Sequence, residues 1–199
     1  PGATPTDAGR AYLFSGATGA LIRAMGSPYP QVNGLFGLSV AGLPDINGDG
    51  RGDVAVGGGW ETPPGLPSRA GAVHLYSGAT GYGLRHIVSP NPSIQGYFGA
   101  SIAAAPDVNG DGRADLVVGA ERENGGASES GRAYIFSAAT GALIRSMVSP
   151  TPRFQGQFGG AVGSIPDTNA DGRGDAAIGA PSEIRPGFSG APGRASFSR

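Results

Sequence analysis

Three stretches of the chain carry oxygen-bearing side chains at one spacing. The first is Asp45-Ile46-Asn47-Gly48-Asp49-Gly50-Arg51-Gly52-Asp53; Asp107, Asn109, Asp111 and Asp115, then Asp167, Asn169, Asp171 and Asp175, repeat its offsets. Oxygens stand at loop positions 1, 3, 5 and 9, and Gly50, Gly112 and Gly172 at position 6 allow a sharp turn. Hard, partly charged oxygens curled by a Gly suit Ca²⁺, which takes about six to eight of them, better than Mg²⁺, which demands a tighter octahedron. The position 7 carbonyls of Arg51, Arg113 and Arg173 would each add a donor, so three Ca²⁺ sites are expected. An EF-hand would need Glu at position 12, where these loops have Val56, Val118 and Ile178. The metal-free alternative is a polar hairpin with Asp and Asn as turn formers. Against it, nine of the ten Asp in the chain lie in these loops, in identical registration. Three carboxylates in one tight loop are also expected to repel without a cation.

Other chemistry finds less support. Arg51-Gly52-Asp53 and Arg173-Gly174-Asp175 spell an adhesion tripeptide, but both Asp are position 9 of the loop, and the middle unit reads Arg113-Ala114-Asp115. His74 aligns with Tyr12 and Tyr134 in a packing slot, and His86 aligns with Ala24 and Ser146 in a surface slot. With no Cys, no nucleophile elbow and no placed His, acyl transfer has no sequence basis. Glu61, Glu123 and Glu183 each stand eight residues beyond the position 9 Asp. A residue repeated in every unit caps a loop or pairs with an Arg more often than it performs chemistry, which needs one asymmetric constellation. The chain therefore reads as a non-enzyme. The alternative is a glycosidase-like or lyase-like enzyme whose carboxylates meet where loops converge.

A repeat positions these groups. Phe36-Gly37, Phe98-Gly99 and Phe158-Gly159 head units spaced by 62 and 60 residues, and Ser27-Pro28, Ser89-Pro90 and Ser149-Pro150 each precede the next Phe-Gly by nine. Within a unit the apolar runs are short and bounded by Gly, Pro, Asn and Asp, as strands are. Four strands are expected: A from Phe36 to about Ala41, B from Asp53 to Gly57, C from Gly71 to Ser77, and D from about Leu84 to Val88. Internal repetition of four antiparallel strands predicts an all-β fold, a β-propeller of roughly 60-residue blades, with about three blades in this chain. The whole of 1–199 is then one repeat domain: an entering half-blade at 9–35 (strands C and D), blades at 36–97 and 98–157, and a partial blade at 158–199. Thirteen strands are expected, the last near Gly193 to Ser198. Rings usually close with four to eight blades, so self-association or further blades are expected to complete this one.

Composition agrees with a folded chain. Gly and Pro number 38 and 17 of 199 residues, yet 39% of the chain is hydrophobic and the net charge is -1, enough apolar material for a core. No apolar run is long enough to span a membrane as a helix. The chain opens at Pro1 and reads as a processed or truncated segment. All 14 basic residues are Arg; they are scattered and balanced by 15 acids, which argues against a nucleic-acid partner.

Phe-Gly at strand A, the Asp-x-Asn-x-Asp-Gly-x-x-Asp loop, and Gly179-Ala180-Pro181 after strand B resemble the FG-GAP repeat family, the blades of the integrin α-chain propeller and of bacterial surface proteins. The resemblance runs from about Gly9 to Phe197. It implies that Asp45, Asn47, Asp49, Asp53, the Arg51 carbonyl and their equivalents hold Ca²⁺. It also implies an extracellular or cell-surface role in adhesion, ligand binding or structural assembly. Two departures stand out: the first two complete units read Gly57-Gly58-Gly59 and Gly119-Ala120-Glu121, and Ala170 replaces Gly48 and Gly110.

In an up-and-down blade the A-to-B and C-to-D turns share one face, so the Asp loops are expected there. The opposite face carries the B-to-C connections, which differ most among units: Trp60 to Arg69, Glu121 to Ser130, and Ser182 to Pro192. Variable loops on a rigid scaffold are where recognition resides. Trp60, Glu61, Arg122, Glu123, Glu183 and Arg185 are therefore the candidate contacts for a protein or glycan ligand.

Overall fold

The structure is a computed structural model that describes residues 6–183. Within them are twelve strands: β1 (Ala11–Phe14), β2 (Leu21–Met25), β3 (Ser39–Leu43), β4 (Asp53–Gly58), β5 (Ala72–Tyr76), β6 (Gly83–Ile87), β7 (Phe98–Ala105), β8 (Asp115–Ala120), β9 (Arg132–Ser137), β10 (Leu143–Met147), β11 (Ala161–Ile165) and β12 (Asp175–Gly179). The strand expected near Gly193 to Ser198 lies outside the described residues.

All strand pairs are antiparallel and sequential: a two-stranded sheet β1-β2, four-stranded sheets β3-β4-β5-β6 and β7-β8-β9-β10, and a two-stranded sheet β11-β12. The described residues contain no helix. Strand A of the first complete unit is shorter than expected. Phe36 precedes β3 and instead bridges in parallel to Gly9 at the start of β1, as Phe98 does to Gly71 and Phe158 to Gly131. Each Phe-Gly thus stitches its own sheet to the preceding one. The contact demands Gly: at Gly71, with φ +86°, a Cβ would lie 2.1 Å from the Phe98 carbonyl oxygen.

Three cores fill the spaces between successive sheets. Phe36, Val56 and Tyr76 pack on Ala11 and Met25. Phe98, Leu116, Val118, Tyr134 and Phe136 pack on Ala55, Val73 and Leu75. Val162, Ala176 and Ile178 lie on Ala105, Val117 and Ile135. Central strand β8 is buried along its length because sheets cover both its faces. The aromatic arrangement repeats: Phe36 meets Tyr76 edge-on at 5.9 Å and Phe98 meets Phe136 edge-on at 5.7 Å, a preferred geometry for ring quadrupoles. Ser39 Oγ and Ser101 Oγ each donate to the Gly carbonyl of the following unit, Gly99 and Gly159, at 2.7 Å. Tyr12 and Phe14 are exposed, on a face of β1 that no sheet among the described residues covers. The four described sheets do not close on one another.

Candidate metal loops and the opposite loop face

The three Asp loops join β3 to β4, β7 to β8 and β11 to β12, as the strand reading places them. Each is curled by its first Asp. Asp45 Oδ1 accepts the N–H groups of Asn47, Gly48 and Asp49 at 3.1, 2.7 and 3.2 Å, and its Oδ2 accepts that of Gly50 at 2.7 Å. Asp107 and Asp167 repeat this set with Gly112 and Gly172. The N–H of Gly50 foremost, with those of Gly48, Asn47 and Asp49, holds the Asp45 carboxyl below its ordinary range. The Asp167 carboxyl is lowered in the same way, chiefly by Gly172. For Asp107, desolvation works against the same N–H groups and is outweighed by them together. Ala170 holds φ +64°, a left-handed backbone that Gly48 and Gly110 adopt without a side-chain cost.

The first Asp of each loop is thus bonded to the N–H groups of its own loop. Among the described residues no three His, Asp or Glu side chains gather about one point.

The position 9 carboxylates differ instructively. Asp53 Oδ2 accepts from Ile46 N at 2.9 Å and Oδ1 from Gly78 N at 3.1 Å. Asp115 Oδ2 accepts from Val108 N at 2.7 Å, but its buried Oδ1 has no partner. The sequence explains the loss. Gly78 sits so close to the loop that a Cβ there would be 2.1 Å from the Gly52 carbonyl oxygen. The equivalent residue is Ala138, whose Cβ keeps its own N–H away. Burial, then the charges of Asp111 and Asp107, pushes the Asp115 carboxyl up. Because Asp53 is buried and bonded twice, Arg51-Gly52-Asp53 presents no free carboxylate for recognition.

On the opposite face the candidate contacts divide. Trp60 and Arg122 lie at the surface in one stack: the Arg69 guanidinium over Trp60 at 4.7 Å, Trp60 on Tyr97 at 5.5 Å, and Arg122 over Tyr97 at 5.5 Å. Glu61 and Glu123 are not surface contacts, being 1% and 0% exposed. Each turns inward from the end of its strand to the middle residue of strand C. Glu61 Oε2 meets His74 Nε2 at 2.7 Å, and Glu123 Oε2 accepts from the Tyr134 hydroxyl. Burial pushes the Glu123 carboxyl up to about 7, against the lowering effect of Ser89 and Tyr134. Glu183 is half-buried, with Oε1 unbonded, and Arg185 lies outside the described residues. His74 is buried and stacks on exposed His86 at 4.9 Å, as their assigned slots require.

Sequence reasoning missed other surface residues. Val32, Ile94 and Phe154 are exposed at one position of the turn before each Phe-Gly. The available signal was an apolar residue standing two before Gly34, Gly96 and Gly156. Phe154 joins Arg122, Glu129, Gln155, Gln157 and Ser182 around a shallow cavity of about 250 Å³.

The FG-GAP repeat model matches residues 36–76 and 98–136. Human integrin alpha-10 is 33% identical over 122 residues, covering 58% of this chain and 10% of that protein. Human integrin alpha-IIb is 39% identical over 128 residues, 59% of this chain and 12% of that protein. Mouse integrin alpha-X is 36% identical over 99 residues, 44% and 8%. The chain thus spans about a tenth of the length of the relatives it matches, and these are named as integrins, not as enzymes.

Proposed function

We propose that the chain is an arc of a calcium-stabilised β-propeller, a non-enzymatic module that binds a protein or glycan outside the cell or at its surface. One observation carries the metal reading. In the second loop a buried carboxylate oxygen, Asp115 Oδ1, has no partner and stands beside the charges of Asp107 and Asp111. An unpaired buried carboxylate is costly unless a cation or donor meets it. The donor set fits Ca²⁺ in chemistry: all oxygen, with Asp45, Asn47, Asp49, Asp53 and the Arg51 carbonyl in the first loop. The same set recurs as Asp107, Asn109, Asp111, Asp115 and Arg113, and as Asp167, Asn169, Asp171, Asp175 and Arg173. A bound ion would supply the positive charge that draws these oxygens together. The Asp45-type curl already brings them into one loop.

The stacked sheets and their sequential pairing support the propeller reading, and the relatives' names support an adhesion context. Trp60, Arg122 and the cavity beside Phe154 are the recognition surface the geometry favours. The enzyme alternative loses ground, because the one acid raised to about 7, Glu123, is sealed in the core and hydrogen-bonded to Tyr134. Calorimetric titration tests the metal: Ca²⁺ should bind at three sites with Kd on the order of 10⁻⁴ to 10⁻³ M. Fewer than two sites, or equal preference for Mg²⁺, would sink the reading.

A further inference from the structure

We propose that the second and third loops, 107–115 and 167–175, open and take up cations as one unit, while the first, 45–53, acts alone. The cation half rests on the calcium reading above; the mechanical half does not. Arg173 reaches out of the third loop, and its Nη1 donates to the Val108 carbonyl oxygen at 2.7 Å. Its Nη2 lies over Gly110, 3.5 Å from where a Cβ would stand. Val108 in turn donates its N–H to Asp115 Oδ2 at 2.7 Å, so one residue of the second loop joins Arg173 to the position 9 carboxylate.

The third loop's backbone also lies against the Pro106 ring. A Cβ on Gly174 would be 2.7 Å from Pro106 Cγ, just ahead of Asp107. Between the first and second loops neither link is present among the described residues: no hydrogen bond joins Arg113 to the first loop, and a Cβ on Gly48 would meet nothing within 4 Å. The sequence gives the physical reason. Position 8 is Gly174 in the third loop but Ala114 in the second, and a Cβ leaves no room for the approach that Gly174 makes to Pro106. The Arg173 peptide is also the third loop's position 7, so ordering that peptide narrows the positions from which its guanidinium reaches Val108. Binding at either loop must then favour the other by the same factor.

Hydrogen exchange in chelator tests the mechanical link without metal. Arg173→Ala, which removes the donor, and Gly174→Ala, which pushes the loops apart, should each speed exchange at Asn109 to Asp111 by about two- to tenfold. Asn47 to Asp49 should not change. Unchanged exchange in the second loop would overturn the proposal whatever calcium does. Calcium calorimetry in an Asp49→Ala background then tests the coupling. Adding Asp171→Ala should weaken the remaining second-loop site by a similar factor, and Arg173→Ala should abolish that dependence. If the second-loop affinity ignores the third loop, cation coupling is overturned. If no variant gives calcium heat while exchange responds, the calcium reading fails and the mechanical unit stands.

Discussion

Glu123 and Asp115 show how one missing or added atom decides the state of a buried acid. Asp115 is an orphan because Ala138 stands where the neighbouring unit has Gly78, and no pattern of Asp spacing reveals that. Glu123 is raised to about 7, chiefly by burial, from an ordinary value of 4.5. A carboxyl with a raised folded pKa favours the folded chain fully below its unfolded pKa. That stability is lost as pH rises through the folded pKa. Stability should therefore fall between about pH 4.5 and 7 by an amount on the order of 2–3 kcal/mol. Glu123→Gln, which stays neutral, should flatten that part of the profile, as thermal melts across this range will show. Asp49→Ala should remove one calcium site and leave the second and third loops binding, which calorimetry can count.

At the level of elements, the sheets depend on glycines that let backbone meet backbone. A Cβ on Gly57 in β4 would lie 2.0 Å from the Gly99 carbonyl oxygen and 2.2 Å from Ser39 Oγ. Gly57→Ala must push the second complete unit off the first, opening the core around Phe98. We expect a loss of about 3 kcal/mol or more, within the range of severe core damage, read as a lower denaturant midpoint. Gly42→Ala, in the same sheet with nothing within 4 Å of its Cβ, should cost less than 1 kcal/mol on the order-of-magnitude scale of surface changes. The strand reading missed the start of β3 for a related reason. Phe36 looks like the first residue of a strand, but it leaves its own sheet to bridge to Gly9.

For the whole molecule, exposed Tyr12 and Phe14 of β1 form the end face of a stack whose inner faces bury such residues. Their equivalents in the next sheet, His74 and Tyr76, are buried. An uncovered apolar sheet face invites another sheet. In solution the 199-residue chain should form species larger than 19.7 kDa by light scattering. Phe14→Glu should shift it toward monomer. A stable monomer that binds no apolar dye would show that these sheets suffice to bury themselves.

The sequence alone determined what repeats. Periodic Phe-Gly, Asp loops and Ser-Pro turns set four antiparallel strands per unit, the loop positions and the packing slots of His74 and His86, because such features depend on local backbone preference and side-chain alternation. Tertiary structure decided what happens between units. It turned Glu61 and Glu123 from surface candidates into core hydrogen-bond partners, since the strand C residue that each meets lies eleven or more positions away. It gathered Arg69, Trp60, Tyr97 and Arg122 into one stack, and tied the third Asp loop to the second but not the second to the first. Those outcomes turn on contacts of a few ångströms between distant segments, where a single Cβ, present at Ala114 and Ala138 and absent at Gly174 and Gly78, changes which atoms can meet.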